Sequence, residues 1–532
     1  MVNAEPYDAI ADASRALDDL YAANPDVENF PVKVSAHFSA MFASPDAFSE
    51  IPSIHVINPA TTDRQLVKGR FMIQDTSPSP EMYLARRSGG RCGGWGLGGD
   101  TFEDSGYDLS EETRSYLREN TVLWAIQLPN ESDWVATEID GLNAVRSNDP
   151  HVPETHPHKF PTSERHLGVQ VKIYDTAQGD ALKSTDLVTF VGIYTMEPFT
   201  VELDSVEPTV VPTLHVLFFN ALPTTVVPRQ FPEPSATDAL REELIAWIAD
   251  EGLGGDKHAA EWVLLSSIAR VQSRNPPLMS PSLTISKFPP APSACKTPKL
   301  PTVLSQIFPM VNALPLSLNT LNTSHFAPES KDEDLHSGRL QLPRGTVCVV
   351  TEGGVTEGSL VERGLTNIRA LQDAISSQTL DYVFPFSRFS FQTDMAFVIL
   401  SEGRKSAFFQ THNTVPLRCE TPEQLYGPPE LVQLPSPEKL VAFRRLVGGA
   451  KIGTVGVDDD VAEHIQEDFV KERKAAEGKI TSEDLIHRMT TARLLALSMH
   501  RPTITLDVWE RVRQLEETRR ARIETLGERS KT

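Results

Sequence analysis

Thr346-Val-Cys-Val-Val350 is an unbroken run of β-branched and small apolar residues, preceded by Gly345 and followed by Thr351-Glu352. A strand built from it has no polar face to offer to water. Strands of this kind occur where helices cover both faces of a parallel sheet. A second such run, Ala396 to Leu400, ends in Ser401-Glu402-Gly403-Arg404, and a helical pattern over Leu365–Ile375 lies between the two. Two buried runs joined through a helix predict a doubly wound α/β sheet. In such sheets the carboxyl ends of the strands face the ligand crevice. Glu352 stands at that end, where nucleoside triphosphatases keep the acidic residue that holds magnesium.

The phosphate cradle that would make Glu352 useful is missing from the sequence. No Gly-x-x-x-x-Gly-Lys-Ser/Thr occurs; the nearest pieces are Gly448-Gly-Ala-Lys451 and Gly478-Lys-Ile480. Neither has the glycine spacing or the hydroxyl after the lysine, so nothing evident neutralises a triphosphate. Glu352 is thus a degenerate Walker-B-like position, and its plain reading is a solvated residue after a core strand. No catalytic residue, cofactor or metal ion is expected. A residual ATPase would need Glu352 together with Arg404 or Arg344 near the phosphates.

The chain has 532 residues, enough for two to four domains, with 40% hydrophobic and 23% charged residues. No apolar run approaches the length of a membrane span, and the first residues show no basic-then-apolar signal pattern. Four cysteines (Cys92, Cys295, Cys348 and Cys419) form no Cys-x-x-Cys pair, which fits a reducing compartment and no structural zinc. The net charge of −22 argues against sequence-independent binding to nucleic acid and suits a basic protein partner.

Read in order, residues 1–55 carry two helical patterns, Tyr7–Ala23 and Val32–Phe42. Residues 56–226 switch to strands: Leu66–Gln74, Met82–Ala85, Thr121–Leu128, Trp134–Thr137, Gly168–Tyr174, Leu187–Met196 and Leu214–Phe219. Short strands with Gly69 and Gly192 near their centres predict a Greek-key barrel of the OB type. Two inserts interrupt it. Glycine-rich Ser88–Gly106 reads as a flexible loop, and His-bearing Asn143–Pro161 as a disordered connector within a metal-free stretch. Exposed aromatics on such a barrel could stack single-stranded bases, but Phe71, Tyr83, Trp124, Phe190 and Tyr194 are equally good core residues. Residues 227–275 read as a linker with a helical pair, 276–420 as the α/β domain, and 421–532 as helical. In the α/β part Pro301–Val311 predicts a helix, Leu316–Leu321 another element, and Tyr382–Phe391 a half-exposed strand or hairpin. The arginines and glutamates of Leu506–Leu526 predict a salt-bridged solvent face.

Eleven segments, in order, resemble one family. They are Leu66-Val-Lys-Gly-Arg-Phe-Met-Ile-Gln-Asp75, Glu81-Met-Tyr-Leu84, Leu128-Pro-Asn-Glu-Ser-Asp-Trp-Val135, Val169-Gln-Val-Lys-Ile-Tyr-Asp175, Asp186-Leu-Val-Thr-Phe-Val-Gly-Ile-Tyr194, Leu214-His-Val-Leu217, Ala259-Ala-Glu-Trp-Val-Leu-Leu265, Leu340-Gln-Leu-Pro343, Val398-Ile-Leu-Ser-Glu-Gly-Arg404, Asp468-Phe-Val-Lys-Glu-Arg-Lys474 and Ile480-Thr-Ser-Glu-Asp-Leu485. Together they resemble the minichromosome maintenance (MCM) complex-binding proteins over nearly the whole chain. Two departures stand out: Thr351-Glu352 where the family often has Asp-Glu, and a shortened linker at Asn143–Pro161. The resemblance implies an α/β multidomain protein: N-terminal helices, an OB-like β-barrel, then a degenerate AAA+-like doubly wound domain with a C-terminal helical lid. It implies a nuclear, non-enzymatic partner of the MCM helicase subunits. Helicase assembly or unloading during DNA replication and sister-chromatid cohesion are its implied roles. No direct contact with nucleic acid or membrane is implied.

Overall fold

The computed structural model describes residues 6–23, 25–54, 64–87, 90–97, 114–135, 166–199, 209–221, 234–292, 297–331, 334–355, 357–475 and 481–528. The chain is a mixed α/β protein. Its first sheet contains β1 (Leu66–Asp75), β2 (Glu81–Leu84), β3 (Leu117–Gln127), β4 (Gly168–Ile173), β5 (Leu187–Pro198) and β6 (Val210–Ala221). Because β1 pairs with both β5 and β3, the strands β1-β5-β6-β4-β3 close into a ring. Closure lets one face of every strand point inward, and Val67, Phe71, Leu123, Val169, Val171, Phe190, Tyr194 and Leu214 fill the interior. At Gly192 the β5–β6 register shifts. A Cβ there would lie 2.3 Å from the His215 carbonyl oxygen, so only glycine allows the approach.

All five aromatic candidates for base stacking are buried, so none lies on an open groove. The outer face of the ring is covered too. Helices α1 (Ala13–Ala23) and α2 (Phe30–Met41) pack on it through Leu17, Tyr21, Val34 and Phe38. The predicted first helix is two, Pro6–Ala11 and Ala13–Ala23. The glycine-rich insert is not the loose loop its composition suggests, as far as it is described. Arg91–Cys92 pairs with Arg86–Arg87. Trp95 is buried, stacked on Tyr174 and edge-on to Phe30, and its indole donates to the Val216 carbonyl. The glycines beside it let the backbone follow the barrel wall: Gly96 has φ +67° and lies against His215. The rest of that insert, the connector 143–161 and the pieces 136–137 and 478–480 lie outside the described residues. Trp134 itself sits in a helical turn rather than a strand.

Several polar side chains on the covered barrel wall pair with one another. Lys172 lies 2.5 Å from Glu81 and 2.7 Å from Glu197, and His215 bridges Glu197 (2.7 Å) and the Tyr174 hydroxyl (2.8 Å). Burial raises the Glu197 carboxyl, but His215 and Lys172 more than offset it, holding the group well below the usual carboxylate range.

The second half contains β7 (Leu283–Ser286), β8 (Val311–Ser317), β9 (Glu329–Lys331), β10 (Asp334–His336), β11 (Val347–Gly354), β12 (Thr379–Val383), β13 (Arg388–Gln392), β14 (Ala396–Leu400) and β15 (Asn413–Pro416). Strands β8-β11-β14-β7-β15 form a sheet in which every pair is parallel. Leu316–Leu321 proves to be the end of β8 and a helical turn, Leu318–Thr323; Pro315 is tolerated because β8 is an edge strand. The predicted helix Pro301–Val311 is short, Leu300–Ser305. A smaller sheet, β10-β9-β12-β13, stands beside the parallel one.

Both faces of the parallel sheet are buried, as the unbroken apolar runs require. Val347, Val349, Val398 and Leu400 point to one core, and Cys348, Val350, Phe397 and Ile399 to the other. The second face is covered by the helix Glu362–Ser377. The first is covered by α3 (Pro234–Gly252) and α4 (Lys257–Ile268), then, beyond α5 (Glu362–Ser377), by α6 (Pro437–Ile452), α7 (Asp459–Ala475), α8 (Ser482–Ser498) and α9 (Leu506–Glu528). That core runs from Leu244 to Leu515 without a break at 276 or 421, because α4, buried at every residue from Ala259 to Ile268, needs cover on all its sides. Helix α8 starts with a capping box between Thr481 and Asp484.

Candidate functional site at the two ends of the parallel sheet

The chain leaves β7 toward β8 on one side and leaves β14 toward β15 on the other. The crevice of this topology therefore opens between the carboxyl ends of β7 and β14. A phosphate loop would begin right after β7. Here that stretch is Lys287-Phe-Pro-Pro290. Lys287, at φ +57°, donates its backbone N–H to the Gly403 carbonyl (2.8 Å), and Phe288 donates to Ser401 (3.0 Å). Pro289 and Pro290 have no N–H to give. From Lys287 to Pro290, no backbone donor is left to face an anion. Phe288 is buried against Tyr426, whose hydroxyl donates to the Pro289 carbonyl at 2.7 Å.

Glu352 lies at this end, but it is buried, with 7% exposure, and not solvated. One carboxylate oxygen accepts from the Ser406 hydroxyl (2.5 Å) and the other from the Ala407 N–H (3.1 Å). Ser406 Oγ in turn accepts the N–H groups of Phe408 and Phe409. Glu352 thus ties down the loop after β14. Arg404 is on that loop and exposed. Arg344 precedes β11, at the other end of the sheet, and faces Asp186 of the barrel at 3.9 Å. The structure does not bring Arg344 to Glu352.

The carboxyl end is closed further by α9. Its Arg522 is buried, contrary to the solvent face expected of this helix, and it holds Asp256 through two contacts of 2.6 and 3.0 Å. Asp256 also accepts the N–H groups of Ala259 and Arg418, so it caps α4 and anchors α9 together. These bonds keep its carboxyl below the ordinary value despite burial.

The amino end carries different chemistry. Lys451, from the glycine-lysine stretch nearest to a phosphate loop, is inside α6 and buried. It donates to the Gly345 carbonyl at 2.5 Å, at the amino end of β11 and far from the crevice. Burial pushes its ammonium down to about 8, with Asp394 opposing. The barrel docks at this end. Gln341, wholly buried, reaches the Gln74 carbonyl (2.7 Å), the Ser184 hydroxyl (2.8 Å) and the Tyr382 hydroxyl (2.7 Å). Tyr382 also reaches Gln74 and Ser184, and burial raises its phenol far above the ordinary value. Beside this network Ser132 donates to Phe308, Trp134 donates to Ser305 (2.8 Å), and Arg444 lies 4.3 Å over the Trp134 ring. Met310 enters the barrel's own apolar cluster with Met72, Trp124, Leu128 and Phe199.

Residue patterning missed this joint. The signal was in the resemblance: Gln74, Trp134 and Gln341 sit in three of the segments that carry it, far apart in sequence. The sequence profile of a family described as "Mini-chromosome maintenance replisome factor" matches residues 147–523. The chain belongs to this family. It is similar to the Mini-chromosome maintenance complex-binding proteins of Salmo salar (25% identical, covering 96% of each chain) and Danio rerio (25%, covering 97% of this chain and 98% of the relative). The Arabidopsis thaliana protein of the same name is 27% identical over 71% of this chain and 67% of its own length. No helix among the described residues is long and apolar enough to cross a membrane.

Proposed function

We propose that this chain is a non-enzymatic binding partner of the mini-chromosome maintenance helicase that acts in the nucleus. It regulates the assembly of the helicase or its unloading from chromatin and thereby supports sister-chromatid cohesion. The relatives are named for binding that complex. The observation that carries the non-enzymatic part is the Lys287–Pro290 stretch, whose backbone donors are already bonded and whose crevice holds Phe288 and Tyr426. Glu352, the residue expected to hold magnesium, is held by Ser406 and Ala407.

On this reading the closed ring is an OB-type barrel and the parallel sheet a degenerate AAA+-like domain with α6–α9 as its lid. A chain built like a helicase subunit would occupy a subunit surface without turning over ATP. Its charge of −22 favours basic surfaces. The test is size-exclusion chromatography of the chain with individual helicase subunits, with ATP hydrolysis assayed on the same fractions. Co-elution without hydrolysis is expected. Binding to no subunit would defeat the reading, as would hydrolysis lost in Glu352→Gln.

A further inference from the structure

Strands β12 and β13 form a hairpin with Pro385-Phe386 at its tip. Phe386 (102% exposed) and Phe389 (63%) are the two most exposed aromatic side chains the structure describes. The register pairs Tyr382 with Phe389 and Val383 with Arg388. The Phe384 N–H donates to the Ser387 carbonyl, and Thr393 donates to Gln378. Antiparallel pairs alternate between bonded and unbonded. The bonded pairs are therefore 384/387, 382/389 and 380/391. The N–H and C=O groups of Arg388, Ser390 and Gln392 face away from β12. Strand β13 is the last of its sheet, and no described strand pairs with that side. Phe389 and Phe391 share one face with Tyr382 and Phe384, with ring distances of 4.8 Å for Tyr382–Phe391 and 5.6 Å for Phe384–Phe389.

Soluble proteins usually guard such an edge with lysine, proline, a bulge or a cover. Arg388-Phe-Ser-Phe-Gln392 has one arginine at its start and a register without a shift. We infer that this edge docks an extended segment of a basic protein partner, which adds a strand to β13 and seats apolar side chains against Phe386 and Phe389. The inference rests on the proposed function and locates the contact. Charge selects the occupant. A second copy would bring another −22, and a nucleic acid would bring phosphates, so both are repelled at long range while a basic protein is drawn in. Between Val383 and Thr393, Arg388 is the only ionisable side chain, so covering the edge desolvates no carboxylate. The same hairpin sends Tyr382 into the joint with the barrel. A segment added to β13 is thereby oriented against both halves of the molecule.

Two full-length variants test this. In Ser390→Pro the lost N–H faces outward, so the bonds to β12 survive while an added strand loses a donor. In the double variant Phe386→Ser/Phe389→Ser the apolar contact goes. Binding to each helicase subunit is measured by interferometry, with circular dichroism as a check on folding. Both variants should stay folded by circular dichroism and bind at least about tenfold more weakly. Parent-like affinity in both overturns the docking site and leaves the proposed function standing. A parent that binds no subunit overturns both. Single-stranded DNA retained by the parent and not by the double variant assigns the hairpin to nucleic acid and overturns the inference. Concentration-dependent self-association abolished by the variants overturns it in favour of a second copy.

Discussion

The two ends of the parallel sheet bury polar groups in different ways. At the carboxyl end Glu352, Asp256 and the N–H groups of Lys287 and Phe288 bond to loops and helices of the same α/β body. At the amino end Gln341, Tyr382 and Trp134 bond to groups far away in sequence, across to or from the barrel. A parallel sheet ordinarily keeps its carboxyl end open for a ligand. Here that end is closed on itself, and the specific polar contacts have moved to the end that holds another module. Polar residues that do no chemistry can still fix an arrangement, because each is costly to leave unpaired.

The largest test of the contrast is the carboxyl-end clasp. Arg522→Met leaves Asp256 buried without its cation and should cost about 3–5 kcal/mol in urea unfolding. A loss under about 1 kcal/mol would mean that α9 is only resting there.

A pH series separates the amino end. Folding lowers the Lys451 pKa from 10.5 to about 8, so between those values the unfolded chain binds more protons than the folded one. Stability from this group therefore rises with pH across that window, by up to about 1.4 kcal/mol per unit. The difference in unfolding free energy between parent and Lys451→Met should grow in the parent's favour from pH 8 to 10.5. A difference independent of pH would show that the ammonium is hydrated.

At the joint, Tyr382→Phe should cost about 1–2 kcal/mol and speed amide exchange in β1 and around Ser184, while β15 is unaffected. Equal exchange everywhere would erase the distinction between the ends. The smallest change is expected of Glu352→Gln, about 1 kcal/mol, with no magnesium–ATP-dependent shift in melting temperature in either protein.

Much of this architecture was legible because burial leaves a plain record in apolar side chains. Val347–Val350 and Ala396–Leu400 could only be strands covered on both sides, and both are. The strand expected over Gly168–Tyr174 is there too, with Val169, Val171 and Ile173 on the inner face of the ring. What was illegible depends on partners distant in sequence. Trp134 looked like a strand residue until Ser305 and Arg444 stood against it. Arg522 was one arginine among several, and its burial depends on Asp256, across 266 positions. Trp95, amid glycines, gave no periodic signal because its cover comes from α2 and the barrel. Glu352 was placed at the correct end of its strand, but the seryl hydroxyl that holds it comes from a loop without regular structure.

Met310 and the segment around Leu128 have a practical consequence for anyone dissecting the protein genetically. The connection between the halves looks like a natural place to cut, since composition changes there. A break near 227 would expose Met72, Leu128 and Phe199 on one fragment and Met310 on the other, all buried in the intact chain. Each fragment would then carry a sticky apolar scar that never meets solvent in the whole molecule. Pull-downs with such halves would report the scar as readily as any physiological partner. Point changes at solvent-facing positions of the full chain are the sounder genetic tool.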